Sequence, residues 1–346
     1  MMDHTVTPML ASRQGPNLSH VVVAIPVRDE AARIGRLLTA LARAAERISL
    51  PVTALILANN CSDDSVAVVQ MFSHPALRIE IRQTVFPAGT ASAGRARRMA
   101  MDLGAQPGAL LMTTDADATP GPDWIAAALD AVQTGADLVC GTITTRVPHV
   151  LATLSGARIT RAEVAHAALQ HEIRHCLDQL SGHQPWGGAC PHYMESGASM
   201  AIRADSYLAI GGLPARDHSE DRALVHLAGT RGLGIRYLPG MTARVSARLQ
   251  GRAEGGMAAC LRHRMQDRDP MADQAMLTPD MLRALWMQAQ DGRLTPYPCR
   301  TEAPGPRLRA SDLEAAYPAL RDLVAQTVRP DFARILRVRD SAVMAG

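Results

Sequence analysis

The sequence predicts an α/β fold, a mostly parallel sheet flanked by helices, followed by a helical C-terminal extension. Three observations carry this expectation. Apolar runs of strand length alternate with amphipathic runs of helix length through the first half of the chain. Three strand-like runs, at residues 20–25, 52–57 and 109–112, are almost continuously apolar and end in polar or Pro-bearing turns. A 47% apolar fraction in 346 residues is enough for a sizeable core.

The elements follow in order. His20 to Ile25 is a buried-strand pattern stopped by Pro26, and Asp29 to Glu46 carries Ile34, Leu37, Leu38 and Leu41 at helical spacing. Val52 to Leu57 is the next strand, and the polar turn Asn59-Asn-Cys-Ser-Asp-Asp64 leads into a helix through Phe72. Leu77 to Gln83 alternates as a strand, Ala93 to Leu103 is helical, and Ala109 to Met112 is a short apolar strand ending in Thr113-Thr-Asp-Ala-Asp117. After Pro120 and Pro122 come a helix over Asp123 to Gln133 and a strand over Ala136 to Thr142. Leu151 to Leu180 is helical. Ser196 to Gly212 reads as strand, helix and Gly-Gly turn, and Ser219 to Gly232 as a helix with Ser219 as its N-cap. Ile235 to Ala247 suggests two short strands. Beyond Gly256 helical spacing resumes, interrupted at Pro270, Pro279, Pro296 and Pro304-Gly-Pro306. The expected organisation is a flexible N-terminal tail over residues 1–18, an α/β domain over 19–255 and a helical extension over 256–346.

Composition excludes several classes. The net charge of +3 is small and the basic residues are spread along the chain, so there is no electrostatic case for nucleic acid. All 36 basic residues other than His are Arg, which rules out Schiff-base lysine chemistry and makes any phosphate-binding cation a forked guanidinium. The six Cys are scattered without a C-x-x-C pair, as in a protein of the reducing cytoplasm. No run approaches the roughly 20 apolar residues of a membrane span, so no integral membrane segment is expected, and residues 1–18 lack the order of a signal peptide.

In parallel sheets ligands bind beyond the carboxyl ends of the strands. Arg28-Asp-Glu30, Asn59-Asn60 and Asp115-Ala-Asp117 all fall at such ends, which makes that edge the expected site. Asp115 and Asp117 flank one small residue, and two carboxylates so close call for a cation; Mg²⁺ or Mn²⁺ prefers carboxylate and phosphate oxygens.

Ile25-Pro-Val-Arg-Asp-Glu30, Asn59-Asn-Cys-Ser-Asp-Asp64, Gly94-Arg-Ala-Arg97, Thr114-Asp-Ala-Asp117 and Ser219-Glu-Asp221 together resemble glycosyltransferase family 2 in order and spacing. The resemblance covers roughly residues 20–255. It implies a GT-A type, Rossmann-like domain over 19–255, a nucleotide-diphosphate sugar as donor with a UDP-sugar the first expectation, and inversion at the anomeric carbon.

Carried onto this chain, the resemblance makes Pro26 to Glu30, with Arg28, the loop that cradles the nucleoside, Glu30 lying near the ribose. Asn59 and Asn60 stand where the family has an Asp pair reading the base; an amide both donates and accepts, so base preference stays open. Gly94 and Arg95 match a Gly-Lys element near the nucleotide. Asp115 and Asp117 become the metal ligands. Glu220 and Asp221 match the family's E-D element, with Asp221 the base that takes the acceptor proton. Glu195 to Met200, including Ser196, Gly197 and Ala198, resembles the acceptor side, with Trp186 upstream as a plane for stacking. Arg248 and Arg252, beside flexible glycine, suit a diphosphate leaving group. The acceptor itself is not named by any motif. Each element also has a plainer reading: first-turn dipole stabilisation for Glu30 and Glu220-Asp221, an ordinary turn for Asn59-Asn60, and a solvated face for Arg95 to Arg98.

One string points elsewhere. His171-Glu-Ile-Arg-His175 has the H-E-x-x-H form of a zinc metallopeptidase, with Glu195 at a permissible distance for a third ligand. It lies between the donor-side and acceptor-side motifs, which a peptidase would leave unexplained. A polar helix face is the reading preferred to a zinc site, and an acceptor pocket lined by His171 or His175 stands between the two. The remaining alternatives are a nucleotidyltransferase, which would want a Gly-rich basic loop after the first strand, and a sugar-nucleotide-binding protein without transfer activity.

Overall fold

The computed structural model describes residues 17–250, 257–294, 297–298 and 307–344. Its centre is an eight-stranded sheet in the order β3-β2-β1-β4-β7-β6-β8-β5. The strands are β1 (His20–Val27), β2 (Val52–Asn59), β3 (Arg78–Thr84), β4 (Ala109–Thr113), β5 (Thr119–Pro120), β6 (Leu138–Thr144), β7 (Met200–Arg203) and β8 (Ile235–Arg244). The first four are mutually parallel, and β6 pairs parallel with β8. Strand β7 enters antiparallel between β4 and β6, and β5 pairs antiparallel with β8.

The continuous apolar runs are explained by burial on both faces. Val21, Val23 and Ile25 of β1 face one core with helices α1 (Ala31–Ala45), α2 (Ser65–Met71) and α4 (Trp124–Gln133). Val22 and Ala24 face a second core built with α3 (Ala93–Gly104), α7 (Ala204–Ala209) and α8 (Glu220–Thr230). The period of two along a strand divides the residues between these layers.

Strand β1 runs two residues past Ile25, through Pro26. Val21 donates its N–H to Pro51 on the β2 side, so the even-numbered residues turn theirs toward β4. Pairing with β4 ends at Ala24 opposite Thr113, and Pro26 therefore needs no donor. The two strands expected over Ile235 to Ala247 are one strand, β8. A register irregularity opposite Gly141 and Thr142 bends it, and that break resembled a strand end in the sequence.

After β6 the chain forms α5 (Pro148–Leu151) and the long α6 (Leu154–Leu180). Helices α9 (Met257–Gln266), α10 (Pro279–Gln290), α11 (Ala310–Leu323) and α12 (Arg329–Met344), with a π-helical turn over Val324–Val328, form the C-terminal region. This region shares a core with α6: Ile173 and Cys176 pack among Leu282, Trp286, Leu320 and Val328. Helix α6 thus joins the sheet layer to the extension. None of the described helices is long and apolar enough to cross a membrane.

Candidate active site

The carboxyl ends of β1, β2 and β4 meet at one edge, and the loops there are tied by side chains. Asp29, at φ +52°, accepts from the Ser62 N–H (2.6 Å), the Ser62 hydroxyl (3.1 Å) and the Asp63 N–H (3.2 Å). Ser65 Oγ accepts from the Glu30 N–H at 2.7 Å, and Asp63 accepts from Ala31 at 2.9 Å. Asn59 is buried and donates its amide to the Val27 carbonyl. Asn60, at φ +48°, exchanges two 3.0 Å bonds with the backbone of Phe86. Both amides tie the end of β2 to its neighbours, so each has one N–H donor already engaged and one left for a base.

The same edge carries the acidic loop. Asp115 Oδ1 accepts from Arg97 Nη2 at 2.5 Å, and Asp117 lies 3.4 Å from Arg248, which also forms a two-pronged pair with Glu30. Burial pushes the Asp117 carboxyl up to about 6, Asp115 adds to the rise, and Arg248 opposes it. The folded protein therefore holds this proton to about pH 6, where an unfolded chain releases it near the ordinary 3.8. Because the folded state is the stronger proton binder, stability falls as pH rises through that window. Asp117→Asn is expected to stabilise the protein by ~1 kcal/mol at neutral pH, the lost Arg248 contact offsetting part of the gain. Urea unfolding across the window checks this: the advantage should vanish below about pH 4.

Arg97 is the centre of the site. It is buried, with Nε on Glu220 at 2.9 Å, Nη1 on Thr113 Oγ1 at 2.8 Å and on the Gly197 carbonyl at 2.9 Å, and Nη2 on Asp115. Burial works against its charge, and Asp115 and Glu220 more than restore it. Glu220 is raised by burial, with Arg97 holding it down. One guanidinium thus joins the acidic loop, α8 and the segment before β7.

That segment also holds the expected base. Gly197 donates its N–H to Asp221 Oδ2 at 2.9 Å, and the Arg222 N–H reaches Oδ1 at 2.8 Å. Thr114 Oγ1 donates to the Ala198 carbonyl at 2.8 Å, and Ser196 Oγ accepts from the Ala198 N–H at 3.3 Å. Ser219 makes no side-chain cap; it sits in the left-handed region at φ +58°, and its carbonyl opens α8 by accepting from Ala223. The strain marks this turn as one set by its surroundings. His218 is exposed beside it.

Gly94 is where α3 abuts that turn. Its N–H reaches the Asp217 carbonyl at 3.3 Å, and a Cβ would overlap the Arg216 carbonyl oxygen, a backbone atom. Gly94→Ala is expected to cost about 1–3 kcal/mol by overpacking, read in denaturant unfolding.

The remaining expected residues are placed differently. Arg95 is exposed, its N–H taken by the Ser92 cap; Arg97, two residues on, is the arginine that enters the site. Arg28 is exposed beyond β1. Trp186 stacks on Phe332 of α12 at 5.8 Å and 12°, with Arg339 4.6 Å from its ring, so it packs against the extension. Arg252 lies outside the described residues.

His171-Glu-Ile-Arg-His175 lies within α6 and is not assembled as a zinc site. Glu172 is paired with Arg329 at 2.6 Å, His175 Nε2 is 2.9 Å from the Gly188 carbonyl, and His171 stands edge-on to Tyr193. Among the described residues the grouping of metal-ligand atoms is Asp29, Cys61 and Asp63 instead. Both carboxylates in that grouping already serve the loop hydrogen bonds above.

Residues 22–177 match the family model described as Glycosyl transferase family 2. They are a family 2 glycosyltransferase domain. The class is that of nucleotide-sugar transferases, and the match, within which the H-E-x-x-H string falls, gives the peptidase and nucleotidyltransferase alternatives no support. No curated protein matches the transferase by sequence. Solved structures similar to it include S. aureus TarS 1-349 in complex with UDP-GlcNAc, at 12% identity over 88% of this chain and 91% of that one, TM-score 0.46. Mannosyltransferase PcManGT from Pyrobaculum calidifontis, in complex with GDP-Man and Mn2+, is 15% identical over 97% and 84%, TM-score 0.46. Glucosyl-3-phosphoglycerate synthase from Mycobacterium tuberculosis, with Mn2+, UDP and phosphoglyceric acid, is 16% identical over 71% and 77%, TM-score 0.40. The family match ends at residue 177, so the segment holding Glu220 and Asp221 is read from geometry and motif.

Proposed function

We propose that this transferase is metal-dependent and inverting, moving a sugar from a nucleotide diphosphate, a UDP-sugar first, to an acceptor hydroxyl. The observation that carries the reading is the Arg97 hub, which ties the acidic loop of β4 to the Glu220-Asp221 turn. Donor-side and acceptor-side groups then share one rigid frame, as a displacement with two opposed faces requires.

Asp115 and Asp117 fit a hard divalent cation, Mg²⁺ or Mn²⁺. Both are oxygen donors on one loop, and burial together with Asp115 disfavours the charge of Asp117, a conflict that a cation relieves. Such an ion, when bound, neutralises the diphosphate as it leaves. Pro26, Arg28 and Glu30, with Asn59, Asn60 and the turn at Gly94, border the nucleotide. Arg248 is released from Glu30 and Asp117 to meet diphosphate oxygens, assisted by Arg252.

Asp221 takes the proton of the acceptor hydroxyl. The freed oxygen attacks the anomeric carbon opposite the diphosphate, a new C–O bond forms, and the bond to the diphosphate oxygen breaks with its electron pair leaving on the nucleotide. The Gly197 N–H on Oδ2 and the Arg222 N–H on Oδ1 hold the carboxylate in place, and each oxygen keeps a lone pair with which to take the proton. Residues 19–255 form the catalytic domain and 256–346 its helical support. The five described cysteines carry no disulfide, in keeping with a cytoplasmic enzyme.

A thermal-shift series with UDP-, GDP- and dTDP-sugars, with and without Mn²⁺, tests this reading. One nucleotide sugar should raise the midpoint only with Mn²⁺. Asp117→Ala should abolish that rise. Stabilisation by Zn²⁺ alone, with no response to any nucleotide sugar, contradicts it.

A further inference from the structure

A groove runs along α8, beginning one residue from Asp221. Its wall on that helix is Arg222, Val225, His226, Gly229 and Thr230, one face at helical spacing. Eight helical rises from Arg222 to Thr230 make this wall ~12 Å long. The opposite walls come from α6, through Arg174 and Asp178, and from β8, through Tyr237, with Glu195 and Tyr297 completing the lining. Glu195 is two residues from the Gly197 that holds Asp221, so two separate segments bring the groove to the base.

The chemistry of the groove is concentrated. Of five tyrosines in the chain, three surround Arg174: Tyr193 at 4.1 Å, Tyr237 at 5.8 Å and Tyr297 at 4.9 Å from the guanidinium. Tyr193 is fully buried at φ +49°, and its hydroxyl donates to Asp178 at 2.7 Å. Strained backbone in a buried aromatic residue is a cost that functional sites commonly carry. Tyr237 donates to Glu195 at 3.0 Å and accepts from Arg174 at 3.0 Å.

The charges are compensated within the protein. Arg174 lies 3.2 Å from Glu195 and 3.7 Å from Asp178, and Arg222 makes a two-pronged pair with Asp273 at 2.7 and 3.0 Å. A phosphate or carboxylate entering here would have to displace a protein carboxylate and would meet the repulsion of those that stay. Hydroxyl groups meet no such cost. Fixed carboxylates accept from them, guanidinium N–H groups donate to them, and the rings of Tyr237 and Tyr297, the two tyrosines that line the groove, offer a face to a sugar ring.

We propose that this groove is the acceptor site and that it takes an uncharged saccharide of one or two rings, whose reactive hydroxyl emerges beside Asp221. The inference rests on reading Asp221 as the base.

Selective ¹³C labelling of the tyrosine rings in the full chain tests it, because neither Tyr207, whose hydroxyl is held by Asp102, nor Tyr317 of α11 lines the groove, and both serve as internal controls. Methyl glucoside, methyl mannoside and maltose are titrated against glucose 6-phosphate and inorganic phosphate at matched concentrations. At least one uncharged saccharide should shift Tyr237 and Tyr297 saturably, leave Tyr207 and Tyr317 unmoved and exceed the charged probes. His226→Trp, which fills the groove from a half-exposed position, should abolish the response while Tyr207 and Tyr317 keep their folded positions. No response to any of the three saccharides, a stronger response to glucose 6-phosphate or phosphate, or an unchanged response in His226→Trp overturns the proposal. Nucleotide-sugar stabilisation measured on the same sample separates the two levels. If it persists while the saccharides fail, the groove is wrong and the transferase reading stands; if it is missing while the saccharides bind, the groove is a saccharide site and the transferase reading fails.

Discussion

Arg97→Ala is expected to abolish transfer and to cost about 3–5 kcal/mol of stability, because it strands the buried Glu220 without its counter-charge. The buried carboxyl of Glu220 is raised already, with Arg97 the main influence holding it down. Removing the guanidinium also frees Asp115 and the Gly197 carbonyl, so the acidic loop and the segment that holds Asp221 lose their common anchor. Because lost activity in Arg97→Ala does not by itself separate transfer from unfolding, Arg97→Lys is the sharper variant. It keeps one charge and gives up the fork that serves four acceptors. It should fold, with a smaller loss in urea unfolding, and still lose turnover by roughly a hundredfold through misplacement of the reacting groups. A Lys variant with near-normal turnover would reduce Arg97 to a structural ion pair.

Asp221→Asn carries the second large effect. The Asn carbonyl can accept from one of the two N–H groups that reach Asp221, Gly197 or Arg222, and the variant gives up the basic oxygen. Turnover should fall by roughly 10²–10⁴-fold, the usual contribution of a positioned general base. Nucleotide-sugar binding, followed by thermal shift, should be unchanged. Loss of binding along with turnover would place Asp221 on the donor side.

The sheet was legible because its central strands are buried on both faces, which leaves unbroken apolar runs such as His20 to Ile25. The acidic loop was legible from its position after β4. Arg97 was not, since three of the four residues Arg95 to Arg98 are arginine and a run of that kind suggests a solvated surface. A signal was nevertheless present: Arg97 shares its helical stripe with Met101 and Gly104, both buried, whereas Arg95 is off that stripe and exposed. What the sequence does not carry is the convergence of Thr113, Asp115, Gly197 and Glu220 on one guanidinium from four points along the chain. The same limit explains Trp186, whose partner Phe332 lies 146 positions further along in the extension. It also explains H-E-x-x-H, whose Glu172 is engaged by an arginine of α12.

Release of nucleoside diphosphate from UDP-, GDP- and dTDP-sugars, followed by chromatography with and without Mn²⁺, tests the central claim most directly. One donor should yield its nucleoside diphosphate in a reaction that needs Mn²⁺, is lost in Asp117→Ala and is slowed in Asp221→Asn. Release that is indifferent to Mn²⁺ and to both substitutions, or no release from any donor that binds, would contradict the account.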